Sequence, residues 1–115
     1  RICSFGTARV MCAPEPRDQP TDLVATPWYR APEILNGWRT YTEAVDLWSL
    51  GCIIAELYRR DPLLPGRTAL QQLQLCVQVT GTPTREELAH FPSEKARNLI
   101  ATRMKNVPVM NLREY

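Results

Sequence analysis

The segment from Glu43 to Arg60 places apolar side chains on almost every face of a helix. These side chains belong to Ala44, Val45, Leu47, Trp48, Leu50, Cys52, Ile53, Ile54, Ala55, Leu57 and Tyr58. A helix that is apolar all round needs other elements to cover most of its surface. The sequence therefore predicts a central core helix, buried on most sides, in a chain that has few other elements to cover it.

Signals at both ends support the limits of this core helix. Thr42 has the hydroxyl of a good N-cap, and Glu43 follows in the first turn, where a negative charge is favourable. Arg59 and Arg60 lie in the last turn, and Pro62 beyond them cannot continue a helix. We expect the helix to end at about these residues.

The rest of the chain predicts three further helices, two short strands and one long loop. One helix begins at the capping box Thr68-x-x-Gln71 and ends at Gly81. A shorter one begins at the capping box Thr84-x-x-Glu87, and another runs from about Ser93 to Arg103. Arg1–Cys3 and Thr7–Val10 predict strands, with Gly6 supplying the sharp turn between them. Residues 11–27 contain four prolines and predict a surface loop, either functional or a disordered linker. The fold class is mostly α with two strand remnants.

Composition excludes several classes of protein. With 115 residues, 44% apolar and 23% charged, the chain fits an ordinary globular protein. It shows neither a transmembrane stretch nor a signal peptide, which predicts a soluble, intracellular protein with no membrane partner. Fourteen basic and twelve acidic residues are interspersed, so no basic stripe indicates a nucleic-acid partner. The four cysteines lack metal-ligand spacing and are expected to be free thiols.

Three linked motifs point to a known family. Trp28-Tyr29-Arg30-Ala31-Pro32-Glu33-Ile34 is followed by Asp46-Leu47-Trp48-Ser49-Leu50-Gly51-Cys52 and by Leu64-Pro65-Gly66. In order and spacing they resemble the A-P-E segment, the D-x-W-S-x-G core helix and the following loop of eukaryotic protein kinases. Residues 93–98 resemble the insert of mitogen-activated protein kinases.

The resemblance covers essentially the whole chain and implies a partial kinase C-lobe over residues 1–115. It divides the chain into strands around a D-F-G-like turn (1–10), an activation segment ending at A-P-E (11–33), the core helix (42–60), a second helix (68–80) and an insert-like segment (92–115). The glycine-rich loop, the β3 lysine and the H-R-D catalytic loop are not among these residues. No complete catalytic set is therefore expected in this chain.

The resemblance also implies residue roles. Thr26 matches a threonine that hydrogen-bonds the catalytic aspartate and lysine, and Trp28, Tyr29 and Arg30 match the wall that faces the substrate. Structural roles are implied for Glu33, Asp46, Trp48 and Gly51. Glu33 would pair with an arginine beyond residue 115, Asp46 would accept hydrogen bonds from the catalytic loop, and Trp48 would be a core aromatic.

The most consequential departure from the family is Ser4. Ser4, Phe5 and Gly6 occupy the D-F-G position, whose aspartate holds the magnesium that bridges the ATP phosphates. ATP and Mg²⁺ are thus the cofactors implied for the parent family, but Ser4 offers only a neutral hydroxyl to a metal that prefers anionic oxygen. We expect this chain alone to bind neither.

Further departures affect the activation loop. The activation motif T-x-Y of the family is matched by Thr21-Asp22-Leu23, with leucine in place of tyrosine. Pro27 replaces an arginine of the family. In the family, that arginine contacts the phosphorylated tyrosine and helps to set a preference for proline after the target residue. Arg9 stands where the family has an arginine that receives the phosphorylated threonine, and its alternative role is a solvated surface charge.

Three interpretations follow from the resemblance. The chain is a segment of a serine/threonine kinase of the mitogen-activated type, a segment of a catalytically impaired pseudokinase that acts as a scaffold, or a remnant that does not fold alone. The implied partners are protein substrates and upstream kinases, and the implied location is the cytoplasm, the nucleus or both.

Overall fold

The computed structural model describes residues 1–8, 26–38 and 42–114. Five α-helices appear in these residues: α1 (Pro32–Leu35), α2 (Ala44–Arg59), α3 (Ala69–Thr80), α4 (Arg85–Ala89) and α5 (Glu94–Arg103). Two short 3₁₀ helices precede them, at Phe5–Thr7 and at Pro27–Tyr29. The prediction of a mostly α fold is confirmed, and every predicted helix is present.

The two predicted strands are wrong where the structure describes them. Residues 1–8 contain a 3₁₀ helix at Phe5–Thr7 and no strand, while residues 9 and 10 lie outside the described part. A strand needs a neighbour for its N–H and C=O groups, and within the described part of the chain residues 1–3 have no strand beside them. The turn also differs from the prediction, because the residue in the left-handed region is Ser4 (φ 64°) and not Gly6.

Helix α2 lies where the sequence predicts it, but it does not have the predicted burial. Cys52 is its buried residue, whereas Leu57 is 70% and Tyr58 is 87% exposed. Within the described residues, one side of α2 packs against the Pro27–Tyr29 helix, the segment at Leu63 and Leu64, and Cys76 of α3. The expectation that this chain has too few elements to cover the helix is confirmed, and the expectation of burial on most sides is wrong.

The ends of α2 differ from the prediction by one residue. Glu43 is the N-cap and makes no side-chain cap bond, while Thr42 Oγ1 accepts a hydrogen bond from the Ala44 N–H at 3.3 Å. The helix ends where Arg60 takes the left-handed conformation, with φ 63°. This conformation stops the helix in the way glycine usually does.

Only part of the capping box predicted for α3 is present. Thr68 Oγ1 accepts from the Gln71 N–H at 3.1 Å, as expected. The Gln71 side chain does not return to Thr68 and instead accepts from the Arg67 N–H at 2.9 Å. At the other end Gly81, with φ 88°, terminates the helix as predicted.

The caps of α4 and α5 are as predicted. Glu87 Oε2 accepts from the Thr84 N–H at 2.7 Å, and Thr84 Oγ1 accepts from the Glu87 N–H at 3.2 Å. Both hydrogen bonds to Thr84 lower the pKa of the Glu87 carboxyl. Ser93 Oγ accepts from the Ala96 N–H at 3.2 Å and caps α5.

Helix α3 lies between two small apolar clusters. One face contributes Cys76 to a cluster with Cys52, Leu63 and Leu64. The other face contributes Leu73 and Val77 to a cluster with Ile100 and Met104. Thr82 joins the second cluster to the C-terminal residues, since its hydroxyl donates to the Met104 carbonyl at 2.7 Å and accepts from the Val107 N–H at 3.0 Å.

Two further expectations concern the described residues. Cys3, Cys52 and Cys76 are free thiols there. No helix in the described ranges is long and apolar enough to cross a membrane.

Candidate functional site

The candidate site is the stretch from Thr26 to Glu33, which we call the wall segment. Pro27 opens its 3₁₀ helix, and proline suits this first position because its φ is already fixed and the position needs no N–H donor. The Arg30 N–H closes the turn on the Pro27 carbonyl at 3.1 Å. Thr26 is exposed at the start of the segment, and Trp28, Tyr29 and Arg30 are half-buried.

Three residues form a closed ring of hydrogen bonds around Trp28, which we call the Trp28 latch (Trp28, Gly66 and Gln72). The Trp28 indole Nε1–H donates to the Gly66 carbonyl at 3.0 Å. The Gly66 N–H donates to Gln72 Oε1 at 3.0 Å, and Gln72 Nε2 donates to the Trp28 carbonyl at 3.3 Å. The ring fixes both the backbone and the side chain of Trp28 to the first turn of α3.

Tyr29 is attached to α2 at two points. Its hydroxyl donates to Glu56 Oε2 at 2.7 Å, and its carbonyl lies 2.8 Å from the Ser49 hydroxyl, which can donate to it. The hydrogen bond to Glu56 is the main cause that raises the pKa of Tyr29, and burial adds to it. The raised pKa favours the protonated hydroxyl, which is the form that donates to Glu56.

The A-P-E part of the segment borders a cavity of about 620 Å³. Ala31 is buried, and Glu33 lies in the first turn of α1 and lines the cavity. Asn36 and Trp38 also line it, and the Asn36 amide and the Trp38 indole N–H have no hydrogen-bond partner among the described residues. Two polar side chains at this cavity, those of Asn36 and Trp38, are thus not satisfied by the described part of the chain.

The predicted structural residues of α2 lie on different sides of the helix. Asp46 is exposed in the first turn. Trp48 packs against the cluster of Cys52 and Cys76, and its indole N–H has no partner within the described ranges. Gly51 is exposed, and a Cβ placed there would meet no atom within 4 Å of the described structure. Nothing in these residues requires glycine at position 51.

Ser4 does not form a metal site with the other residues that the structure describes. It takes the left-handed conformation beside the exposed Phe5. In the described parts of the chain no group of three or more His, Cys, Asp or Glu side chains could hold a metal ion. A neutral hydroxyl is a poor substitute for the carboxylates that magnesium prefers, so the residues present do not fit the ion.

Two predicted residues cannot be compared with the structure. Arg9 and Thr21 of the activation loop lie outside the described residues.

The sequence predicted no role for three partners of the wall segment: Ser49 and Glu56 on α2, and Gln72 on α3. One signal was available for Gln72, because Cys76 and Val79 follow it at helical spacing on the same face of α3. A glutamine in line with apolar residues indicates a buried polar group that needs partners. Gln72 is in fact fully buried.

Comparisons with known proteins agree with the motifs. A family model described as the protein kinase domain matches residues 1–110. The mitogen-activated protein kinase pmk-1 of Caenorhabditis elegans is 44% identical over 115 residues, which cover 100% of this chain and 28% of that protein. The extracellular signal-regulated kinase 1 of Dictyostelium discoideum is 42% identical over 111 residues, or 96% of this chain and 21% of that protein.

A fungal relative gives the same result. The mitogen-activated protein kinase spm1 of Schizosaccharomyces pombe is 41% identical over 112 residues, which cover 95% of this chain and 26% of that protein. The chain thus spans about a quarter of the length of these relatives. It belongs to the protein kinase family and corresponds to a C-lobe segment of a kinase domain of the mitogen-activated type.

Proposed function

We propose that this chain serves as part of the C-lobe of a serine/threonine protein kinase that transfers phosphate from ATP to protein substrates. In this role the wall segment receives the substrate beside the site of transfer. The observation that carries the proposal is the attachment of Trp28 through Gly66 and Gln72, together with that of Tyr29 through Ser49 and Glu56. A segment fixed at both residues is preorganised, and preorganised contacts orient a substrate at little entropic cost.

In this proposal the described residues position the protein substrate and do not carry out the phosphoryl transfer itself. In the parent family ATP would supply the phosphoryl group and Mg²⁺ would neutralise its charge, but Ser4 lacks the carboxylate that would hold the ion. The exposed Thr26 leaves its hydroxyl accessible at the start of the wall segment, and the half-buried Arg30 adds a positive charge three residues after Pro27. We propose that Thr26 meets the catalytic groups and that Trp28, Tyr29 and Arg30 contact the substrate.

We also propose that an upstream kinase acts on Thr21. The phosphate would then pair with Arg9, because charge-assisted bonds between arginine and phosphate are strong enough to order a segment. Phosphorylation should slow the proteolytic cleavage of residues 11–27 in the wild type and should not slow it in Arg9→Ala. Equal cleavage rates in the two phosphorylated forms would show that Arg9 does not hold the phosphate.

The proposed location is the cytoplasm or the nucleus. The three described cysteines are free, and free thiols persist in reducing compartments.

Phosphate transfer by the full-length protein tests the proposal. The protein is incubated with radiolabelled ATP, Mg²⁺ and a general substrate such as myelin basic protein, and the label in the substrate is measured. We expect transfer, and we expect Tyr29→Phe to weaken it because this variant loses the hydrogen bond to Glu56. A cooperatively folded protein that labels no substrate would refute the proposal.

The second candidate function is a kinase-like scaffold without transfer, and Ser4 is the observation that favours it. The relatives are all named as kinases, which favours the first candidate. Absence of transfer combined with weak, magnesium-independent ATP binding would favour the scaffold.

A further inference from the structure

Gln72 has a combination of properties that packing alone does not require. It is fully buried, although its amide is polar, and it lies in the first turn of α3. Its Oε1 accepts from the Gly66 N–H and its Nε2 donates to the Trp28 carbonyl. A single side chain therefore satisfies one backbone donor and one backbone acceptor that are six and 44 residues away in sequence.

We propose that Gln72 is a positioning residue for the protein substrate, a role that rests on the proposed function and acts through Trp28. Its amide sets the place of the Trp28 backbone, and the Trp28 indole in turn is held by Gly66. The latch also holds the Gly66 backbone close against α3, because a Cβ at Gly66 would lie 2.7 Å from Gln72 Cα and 2.8 Å from Gln72 N. A shift of Gln72 is thus passed on to the middle of the wall segment.

The hydrogen bonds of the Trp28 latch require an amide side chain at position 72. Glutamate in its charged form accepts hydrogen bonds but cannot donate one to the Trp28 carbonyl. Methionine has nearly the same length and flexibility, but it has no donor and its sulfur is only a weak acceptor. Gln72→Met consequently removes the two bonds with little change in volume and leaves the buried Gly66 N–H and the part-buried Trp28 carbonyl without these partners.

Gln71 provides a matched control on the same turn of the helix. It is exposed, and its side chain accepts from the Arg67 N–H at 2.9 Å. Water can replace that acceptor at an exposed site, so Gln71→Met makes the same chemical change without touching the Trp28 latch.

Steady-state kinetics on the full-length protein separates positioning from stability. We expect Gln72→Met to raise the KM for the protein substrate by about tenfold, which corresponds to the loss of a typical buried hydrogen bond. The KM for ATP should stay within about twofold of wild type, because the lost bonds act only on the substrate wall. Trp28→Phe should raise the KM for the protein substrate as Gln72→Met does. The double variant should raise this KM little further, because the two residues act through one latch. Gln71→Met should match the wild type.

Two kinetic results would overturn the inference. One is an unchanged KM for the protein substrate in Gln72→Met. The other is an equal rise in both KM values together with a lower melting temperature, since this pattern indicates a purely structural role.

If the wild type transfers no phosphate, the proposed function fails, but the positioning of Trp28 by Gln72 can still be tested by a measurement that needs no activity. Of the three tryptophans, only Trp28 has an indole N–H with a hydrogen-bond partner among the described residues. Its ¹⁵N-indole resonance is assigned by its loss in Trp28→Phe. An exchange rate with solvent that rises by about tenfold in Gln72→Met would support the positioning of Trp28 by Gln72, again by the loss of about one hydrogen bond. An unchanged exchange rate would overturn it.

Discussion

Replacing Gly66 by alanine should destabilise the protein, because the chain passes unusually close to α3 at this residue. A Cβ at position 66 would lie 2.3 Å from Gln72 Oε1, 2.7 Å from Gln72 Cα and 2.8 Å from Gln72 N. The amide oxygen could rotate away, but the other two atoms belong to the backbone of α3. The loop at Gly66 must therefore move away from the helix.

The size of the destabilisation by Gly66→Ala follows from the hydrogen bonds that this movement breaks. The Gly66 N–H loses Gln72 Oε1, and the Gly66 carbonyl loses the Trp28 indole N–H. Each bond contributes about 1 kcal/mol net, and a buried group left without a partner costs about 1–3 kcal/mol. We expect a loss of about 3 kcal/mol in the free energy of unfolding, a large part of the roughly 5–15 kcal/mol that a typical protein has.

Urea unfolding of the full-length protein measures this loss, and Gly37→Ala is its control. Gly37 has φ 74° and no atom within 4 Å of a built Cβ, so alanine there adds backbone strain without a collision. That strain costs about 1–2 kcal/mol. The φ of Gly66 is not in the left-handed region, so glycine is required there only because the backbone of α3 at Gln72 lies so close. A smaller loss for Gly66→Ala than for Gly37→Ala would refute the reasoning.

Three other predictions concern the isolated chain, Ser4 and Cys76. Residues 1–115 alone should unfold without a sharp thermal transition and transfer no phosphate, because α2 leaves Leu57 and Tyr58 at 70% and 87% exposure; a sharp transition would contradict this. In the full-length protein, Ser4→Asp should raise magnesium-dependent ATP binding, measured by titration with and without Mg²⁺. Aspartate tolerates the left-handed φ and restores the negative charge. Equal magnesium-dependent binding in the variant and the wild type would contradict this prediction. Burial raises the pKa of Cys76 from 9.0 to about 12, so the folded state keeps a proton that the unfolded state releases. The free energy of unfolding should therefore fall as the pH rises from about 9 towards 12, and Cys76→Val should weaken that fall; the same slope in both proteins would refute the assignment.

The helices could be predicted because their signals are local. Thr84 and Glu87 are three residues apart and satisfy each other, so the sequence contains everything that the cap needs. Gly81 likewise ends α3 by its own conformation. The strands could not be predicted in the same way, because a strand depends on a neighbour, and none lies beside residues 1–3 in the described part of the chain.

The site was predicted only in part for a related reason. The motifs pointed to Trp28 and Tyr29, but the residues that hold them are 20 to 44 positions away in sequence. The spacing of Cys76 and Val79 indicates that Gln72 faces the core, and the structure agrees, with Gln71 exposed and Gln72 fully buried. That spacing does not reveal which distant backbone groups the buried amide of Gln72 meets.

Phosphate transfer by a chimera tests most directly whether this chain forms the substrate wall of a kinase. In the chimera, residues 1–115 with Ser4→Asp replace the matching 28% of pmk-1, and a second chimera also carries Gly66→Ala. The account predicts that the first chimera phosphorylates myelin basic protein and that the second loses most of this activity. A first chimera that unfolds cooperatively, binds ATP and transfers no phosphate would contradict the account.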